Sequence, residues 1–287
     1  MLAVTLIIDM AWLWHSGLQL IFGDMSAVLI LLAVCSAVAF LHRYFVRDDS
    51  LFLFGNVINQ LIVVGFIAFT LSDIGAVLAL PLKDSQLNAI DVHMGFTWLG
   101  YVRWVNNHFT ISLFFTAAYA SYNIQGVWLV ALLFLRKQSA YAQRFVIISY
   151  ITGVACALIA TVMPAMGAHI FYTIAPEQFQ NVSFYSAWDH SHALAALRAP
   201  DNHQIAYPGA GIIMCPSYHA VMAVLLAYIS LPFRLLRWVI IPLNITMLLS
   251  TPIVGGHYLV DVLAGIALAL IAIVIAEKIL PRLVPLI

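Results

Sequence analysis

Apolar runs long enough to cross a bilayer leave this chain few ways to fold. A transmembrane helix needs about 20 mostly apolar residues. Eight runs of that kind can be read, at roughly 2–22, 25–45, 51–80, 108–136, 141–165, 215–231, 235–252 and 257–279. Apolar residues make up 64% of the chain and charged residues 8%, against about 45–50% and about 25% in soluble domains. Mean hydropathy is +1.01. The expected fold is all-α, a polytopic membrane helical bundle of about eight transmembrane helices.

Met1 to Phe22 lacks a basic leader and a small-residue cleavage site, and reads as a retained span rather than a signal peptide. The fourth run is expected to be interrupted, because Gly126 follows the polar pair Asn123 and Gln125. Cys35 and Cys156 fall in apolar runs and Cys215 abuts a helix start, so all three read as small core residues, not a disulfide framework. No repeat or low-complexity tract divides the chain. Residues 1–50 read as two N-terminal helices added to a six-helix core at 51–287.

Lysine and arginine placement sets the expected orientation. With eight spans, Arg43, Arg47, Arg136, Lys137, Arg144, Arg234, Arg237, Lys278 and Arg282 lie on the N-terminal side, and Lys83, Arg103 and Arg198 on the other. That bias puts both termini in the cytoplasm (of a cytoplasmic membrane, if the cell is bacterial). Residues 83–107 are too polar to span. Leu87, Ile90, Met94, Trp98, Tyr101 and Val105 recur at three- and four-residue steps, the pattern of an amphipathic helix lying on the outer interface. Beyond the fifth span, a long outer loop at about 167–211 carries His169, Glu177, Asp189, His190, His192, Arg198, Asp201 and His203, and is expected to cover a site.

Two stretches carry the chemistry. One is S-T-P-I-V-G-G-H-Y-L-V-D, Ser250 to Asp261; the other is C-P-S-Y-H-A, Cys215 to Ala220. His257 and Asp261 are four residues apart, which on a helix puts them on one face a turn apart. Asp261 can hold the proton of one ring nitrogen and leave the other basic. His219 opens another apolar helix, behind Pro216 and Ser217, residues suited to a helix start. Helix N-termini present free N–H groups, and Gly255 and Gly256 leave bare backbone, so both mouths read as phosphate sites. His257 is the candidate nucleophile, oriented by Asp261, and His219 the candidate general acid and base. Ser217, Tyr218, Gly255 and Gly256 are the nearest candidate substrate contacts. Both histidines fall on the extracytoplasmic side.

At these residues the sequence resembles the type 2 phosphatidic acid phosphatase superfamily of membrane lipid phosphatases and phosphotransferases. Its P-S-x-H element matches Pro216, Ser217 and His219. Its final element, Ser-Arg, five residues, His, three residues, Asp, matches Ser250, His257 and Asp261. The resemblance implies a six-helix core and a metal-independent phosphohistidine mechanism, so neither cofactor nor metal is expected. Two departures stand out. Thr251 replaces the arginine of the final element, and the Lys, six residues, Arg-Pro element is missing from the outer end of the fifth span. Lys137 and Arg144 have that separation, but Phe145 follows and the charge bias places them in the cytoplasm. With weak cationic clamps and a G-H-Y-x-x-D ending, the chain looks most like the inositol phosphorylceramide synthase branch, and the sphingomyelin synthases end similarly. Arg198 is the expected replacement phosphate ligand, with His169 and Tyr172 behind it.

The expected activity is cleavage of a lipid phosphate ester, with transfer of a phospho-alcohol headgroup between lipids as the alternative. The expected partners are a phosphorylated lipid substrate and membrane lipids, with no nucleic acid. A transporter, or a non-catalytic lipid-binding protein, is the reading from other classes. Asp189, His190 and His192 could ligate zinc but suit a solvated loop. Asp9, His15, Asn56, Asn59 and Gln60 suit hydrogen bonds between helices better than an ion path.

Overall fold

The computed structural model describes residues 2–283 apart from 24–25, 42–43, 45–48, 176, 202–203 and 208. Arg43, Arg47 and His203 lie outside the described residues, as do the side chains of Cys35, Asn123 and Arg282. The chain runs α1 (Leu2–His15), β1 (Gln19–Phe22), α2 (Ser26–Leu41), α3 (Asp49–Val77), α4 (Asp84–His93), α5 (Trp98–Asn106), α6 (Phe109–Ala120) and α7 (Tyr122–Leu135). It continues through α8 (Ser139–Val162), α9 (Ala168–Phe171), α10 (Tyr185–Leu197), β2 (Gln204–Tyr207), α11 (Tyr218–Ser230), α12 (Arg237–Val254) and α13 (Leu259–Leu283). The architecture is all-helical but for β1 and β2, which pair in parallel, Gln19 opposite Gln204.

The expected count of eight spans is not met. Four helices are long and apolar enough to cross a membrane: Phe52–Val77, Ser139–Val162, Arg237–Val254 and Leu259–Lys278. A fifth span is formed if α6 and α7 are counted together, bent by 55° at Ser121. The bend falls just before the polar residues expected to interrupt this run. Helices α1 and α11 have 14 and 13 residues; at 1.5 Å per residue each covers about 20 Å of the ~30 Å hydrocarbon core. The first apolar run turns into β1 after His15 instead of continuing.

Helices α3, α7, α8, α11, α12 and α13 share one core, with Val57, Leu129, Ile148, Leu225, Met247 and Ala269 buried in it. Close approach of α11 and α13 depends on Gly265. A Cβ there would lie 2.5 Å from the Ser217 carbonyl oxygen and 2.9 Å from Ala220 Cβ. Helices α1 and α2 pack on α3, and Thr70 Oγ1 donates to buried Asp9 Oδ2 at 3.0 Å. At one end of the bundle, Arg144 near the start of α8 pairs with Glu277 near the end of α13 at 3.0 Å. The opposite end carries a second core around Trp98 and Tyr258.

The region 83–107 is two helices, not one. Gly95, at φ 80°, separates α4 from α5 and resets the helical phase. Leu87, Trp98 and Val105 therefore point into the core while Ile90 and Met94 stay exposed. Helix α5 is fastened to the end of α12: Trp98 Nε1 donates to the Pro252 carbonyl and Tyr101 hydroxyl to that of Leu249, both at 2.9 Å. The expected outer loop is likewise largely structured, since α10 fills its centre and buries Ala187, His190 and Leu194.

Candidate active site

Two helix starts are tied to each other. Ser217 caps α11 with extended backbone (φ −65°, ψ 116°), and its Oγ accepts from Ala220 N. Its own N–H donates to the Asp261 carbonyl oxygen at 3.0 Å. Pro216 thus precedes the cap and does not occupy the first turn. In the second start, His257 and Tyr258 precede α13, and Asp261 sits in its first turn. Asp261 Oδ2 reaches back to accept from Tyr258 N at 2.9 Å, as an acid near a helix start does in a capping box. The two residues therefore meet through a capping turn, not on one helical face. His257 Nδ1 lies 3.6 Å from Asp261 Oδ2, longer than a hydrogen bond. Both His257 Nδ1 and Asp261 Oδ1 lack a hydrogen-bond partner among the described residues.

Helix α4 supplies two further carboxylates. Asp91 accepts from Leu259 N at 2.7 Å and Val260 N at 2.9 Å. Asp84 accepts from Met166 N, Gly167 N and the Tyr258 hydroxyl at 2.8–3.0 Å. Burial raises the Asp91 carboxyl above its ordinary range, partly offset by those two backbone bonds. The expectation that the α13 N-terminus binds phosphate is therefore corrected, because protein carboxylates already occupy its first N–H groups.

His257 and His219 line one cavity of about 430 Å³. His257 Nε2 is 3.2 Å from Ser217 Oγ, which leaves this nitrogen as the basic one when Nδ1 carries the proton toward Asp261. His219 stacks on Tyr119, ring centroids 4.0 Å apart, and meets the Tyr122 ring edge-on at 4.8 Å. Its Nδ1 is 3.0 Å from the Tyr119 hydroxyl, which is 3.2 Å from Ser186 Oγ. An imidazolium can donate from Nδ1 to Tyr119, and Tyr119 onward to Ser186. His219 Nε2 is then left for a substrate oxygen. Ser72, Tyr119, Tyr122, Tyr185, Ser186 and Tyr218 line the wall with hydroxyl-bearing side chains, and among the described residues no lysine or arginine lines it.

The expected substrate contacts divide. Tyr218 and Gly255 line the cavity, and a Cβ on Gly255 would come within 2.7 Å of both His257 Cδ2 and the Tyr119 hydroxyl. Ser217 is buried beneath His257. Gly256, at φ 66°, packs against His169 Nδ1 and Ala187 instead. His169 is fully buried behind that loop, 3.2 Å from Ser191 Oγ and edge-on to Trp188. Burial, reinforced by neighbouring imidazoles, pushes its pKa down to about 3. Arg198 ends α10 and donates to the Leu80 carbonyl at 2.8 Å, away from the cavity wall. Tyr172 bonds Asn88. Among the described residues no group of three or more His, Cys, Asp or Glu could hold a metal ion. His190 instead places both ring nitrogens against carbonyls, Ala165 at 2.9 Å and Gly211 at 3.3 Å. Lys137 and Arg144 lie at the far end of the bundle from the cavity, by the Glu277 pair.

Sequence reasoning missed Tyr119, Tyr122, Ser186, Asp84 and Asp91. The two acids are seven residues apart on a helix whose same face carries buried Leu87, a spacing that marks one side of a helix. Nothing local flagged the tyrosines beyond the polar break in the fourth run.

No match was found among curated proteins or among solved structures. The family model of the PAP2 superfamily matches residues 85–275, which takes in α4 through most of α13 and every cavity-lining histidine. With two thirds of its length matched and its apolar helices, this integral membrane protein belongs to the PAP2 superfamily, whose members are generally phosphatase-type enzymes.

Proposed function

We propose that the protein cleaves a phosphate ester of a lipid through a covalent phosphohistidine on His257, at the extracytoplasmic face. The observation that carries this reading is the convergence of His257 and His219 on one cavity, the first backed by Asp261 and the second by Tyr119. In the first step the Nε2 lone pair attacks phosphorus and the bond from phosphorus to the lipid oxygen breaks. That oxygen takes the proton from His219 Nε2. Asp261 stabilises the positive charge gained by the phosphorylated ring. In the second step an acceptor hydroxyl attacks phosphorus and gives its proton to His219 Nε2, while the N–P bond breaks and its electron pair returns to His257 Nε2. In-line placement of the two rings about one phosphorus is what phosphoryl transfer requires. Sidedness is supported by the cations at the bundle end opposite the cavity, where Arg144 pairs with Glu277 beside Lys278, since cytoplasmic ends of membrane helices are rich in lysine and arginine.

One observation favours a phosphodiester substrate and headgroup transfer, the reaction type of the inositol phosphorylceramide synthase-like branch. Among the described residues the cavity is walled by hydroxyl-bearing side chains with no lysine or arginine, which suits a single negative charge. A phosphomonoester carries about −1.5 to −2 at pH 7, and burying that charge without cations is costly. The deciding experiment supplies purified protein with short-chain phosphatidic acid, and separately with a phospholipid donor plus an alcohol acceptor. Phosphate release supports hydrolysis; a new headgroup-bearing lipid supports transfer. Neither product, or either product undiminished in His257→Ala, overturns the mechanism.

A further inference from the structure

Behind Tyr122 and Tyr218 the catalytic cavity adjoins a second chamber of about 220 Å³. Gly65, Tyr122 and Tyr218 line both, so the two spaces abut at these residues. Beyond that junction the chemistry changes: Val64, Val127, Phe145 and Met222 make the walls apolar. The chamber lies among α3, α7, α8 and α11, at the depth of the membrane-crossing segments. Val127 of α7, among its lining residues, is 58% exposed.

Two glycines keep it open. A Cβ on Gly65 of α3 or Gly126 of α7 would meet nothing within 4 Å. Neither has a positive φ, and glycine is a poor helix former, so neither backbone geometry nor close helix packing calls for glycine at these positions. What their lack of side chain creates is space. Away from Tyr122 and Tyr218, Ser149 also lines that space; it is 2% exposed and its Oγ has no hydrogen-bond partner among the described residues. An ester or amide carbonyl at the head of an alkyl chain would accept from it.

We propose that this chamber holds a hydrocarbon chain of the phosphate-bearing lipid, which enters from the bilayer between α3 and α7. Tyr122 and Tyr218 then mark the boundary between headgroup and tail. The inference rests on the reading that the substrate is a lipid, and adds where its chain lies and by which door it arrives.

The test uses phosphatidic acid carrying a diazirine at the end of one long chain, with full-length protein in nanodiscs. Photolabelling of wild type should mark chamber residues of α7, α8 and α11 in addition to bilayer-facing residues such as Leu113 and Phe114. Gly126→Leu should lose the chamber labels at least 10-fold while the bilayer-facing labels persist. Gly65→Leu fills the opposite wall and should do the same, which covers the case that one variant does not fold. His257→Ala should keep the full pattern. Chamber labels absent from wild type, or persisting in both leucine variants, would overturn the proposal. Chamber labelling of a lipid that wild type does not turn over would instead sink the hydrolytic reading and leave the chamber standing.

Discussion

The Tyr119 hydroxyl lies 3.0 Å from His219 Nδ1 while the two rings stack at 4.0 Å, so one tyrosine both orients the imidazole and supplies an acceptor for its inner proton. A hydrogen bond to a charged group is worth about 1.5–3 kcal/mol. Tyr119→Phe keeps the stack and loses the bond. Its kcat should fall about 10- to 100-fold with KM little changed, and Ser186→Ala, one bond further out, should cost less. Equal loss in kcat and KM would mean that Tyr119 contacts substrate and does not act through His219.

His257→Ala should abolish turnover, since the proposed mechanism forms its covalent intermediate on that imidazole. His219→Ala should cost about 10²–10⁴-fold, the usual weight of general acid–base help. Asp261→Asn keeps an oxygen for Tyr258 N and loses the charge behind His257. Steady-state rates should fall by about 10²-fold or more, as when the carboxylate behind a catalytic imidazole is neutralised elsewhere, with the unfolding midpoint nearly unchanged. Wild-type rates in that variant would remove Asp261 from the mechanism.

Asp91 holds the start of α13 from outside the helix. Asp91→Ala leaves two N–H groups unpaired two and three residues after His257. Loss of such a cap costs about 0.5–2 kcal/mol, which denaturant unfolding in detergent would read, and kcat should drop with it. Asp91→Asn, which retains one acceptor, should fall between the two.

Gly265 lets α13 touch α11 at the Ser217 carbonyl. Gly265→Val drives a side chain into backbone, and overpacking of this kind costs about 1–3 kcal/mol. The displaced helices should separate Ser217 from His257, so activity should be lost even where the protein still folds. A stable, fully active variant would show that this helix contact does not position the site.

His169 is buried neutral, its pKa pushed down from 6.5 to about 3. The unfolded chain binds a proton there below pH 6.5 and the folded protein does not until pH approaches 3. Stability is therefore lost as pH falls through this window, with a slope of about 1.4 kcal/mol per pH unit from this group. His169→Gln should flatten the dependence of unfolding free energy on pH between 6 and 4, relative to wild type. An unchanged slope would mean that His169 takes up its proton while still folded.

Much of the candidate site was legible in residue order. His219, His257 and Asp261, which the fold brings together at one cavity, stand out because each falls at a helix start, and helix-start residues can be read locally. The span count was less legible. Apolar runs at 2–22 and 215–231 have the composition of spans, but the first turns into a strand and the second is held to 13 residues by the cap at Ser217. Arg198 and His169 were drawn to the phosphate by charge and position alone, whereas their hydrogen bonds go to Leu80 and Ser191.

The sequence by itself determined a helical membrane protein with two imidazoles at helix starts and a carboxylate four residues past one of them. Hydropathy and capping are properties of neighbours along the chain, so they need no fold to be recognised. Only tertiary structure decided that Tyr119 stands behind His219, that Asp91 rather than phosphate caps α13, and that two bare glycines leave a chamber beside the cavity. Each of these joins residues 40 or more positions apart, and such pairings follow from how helices pack, which no local pattern encodes.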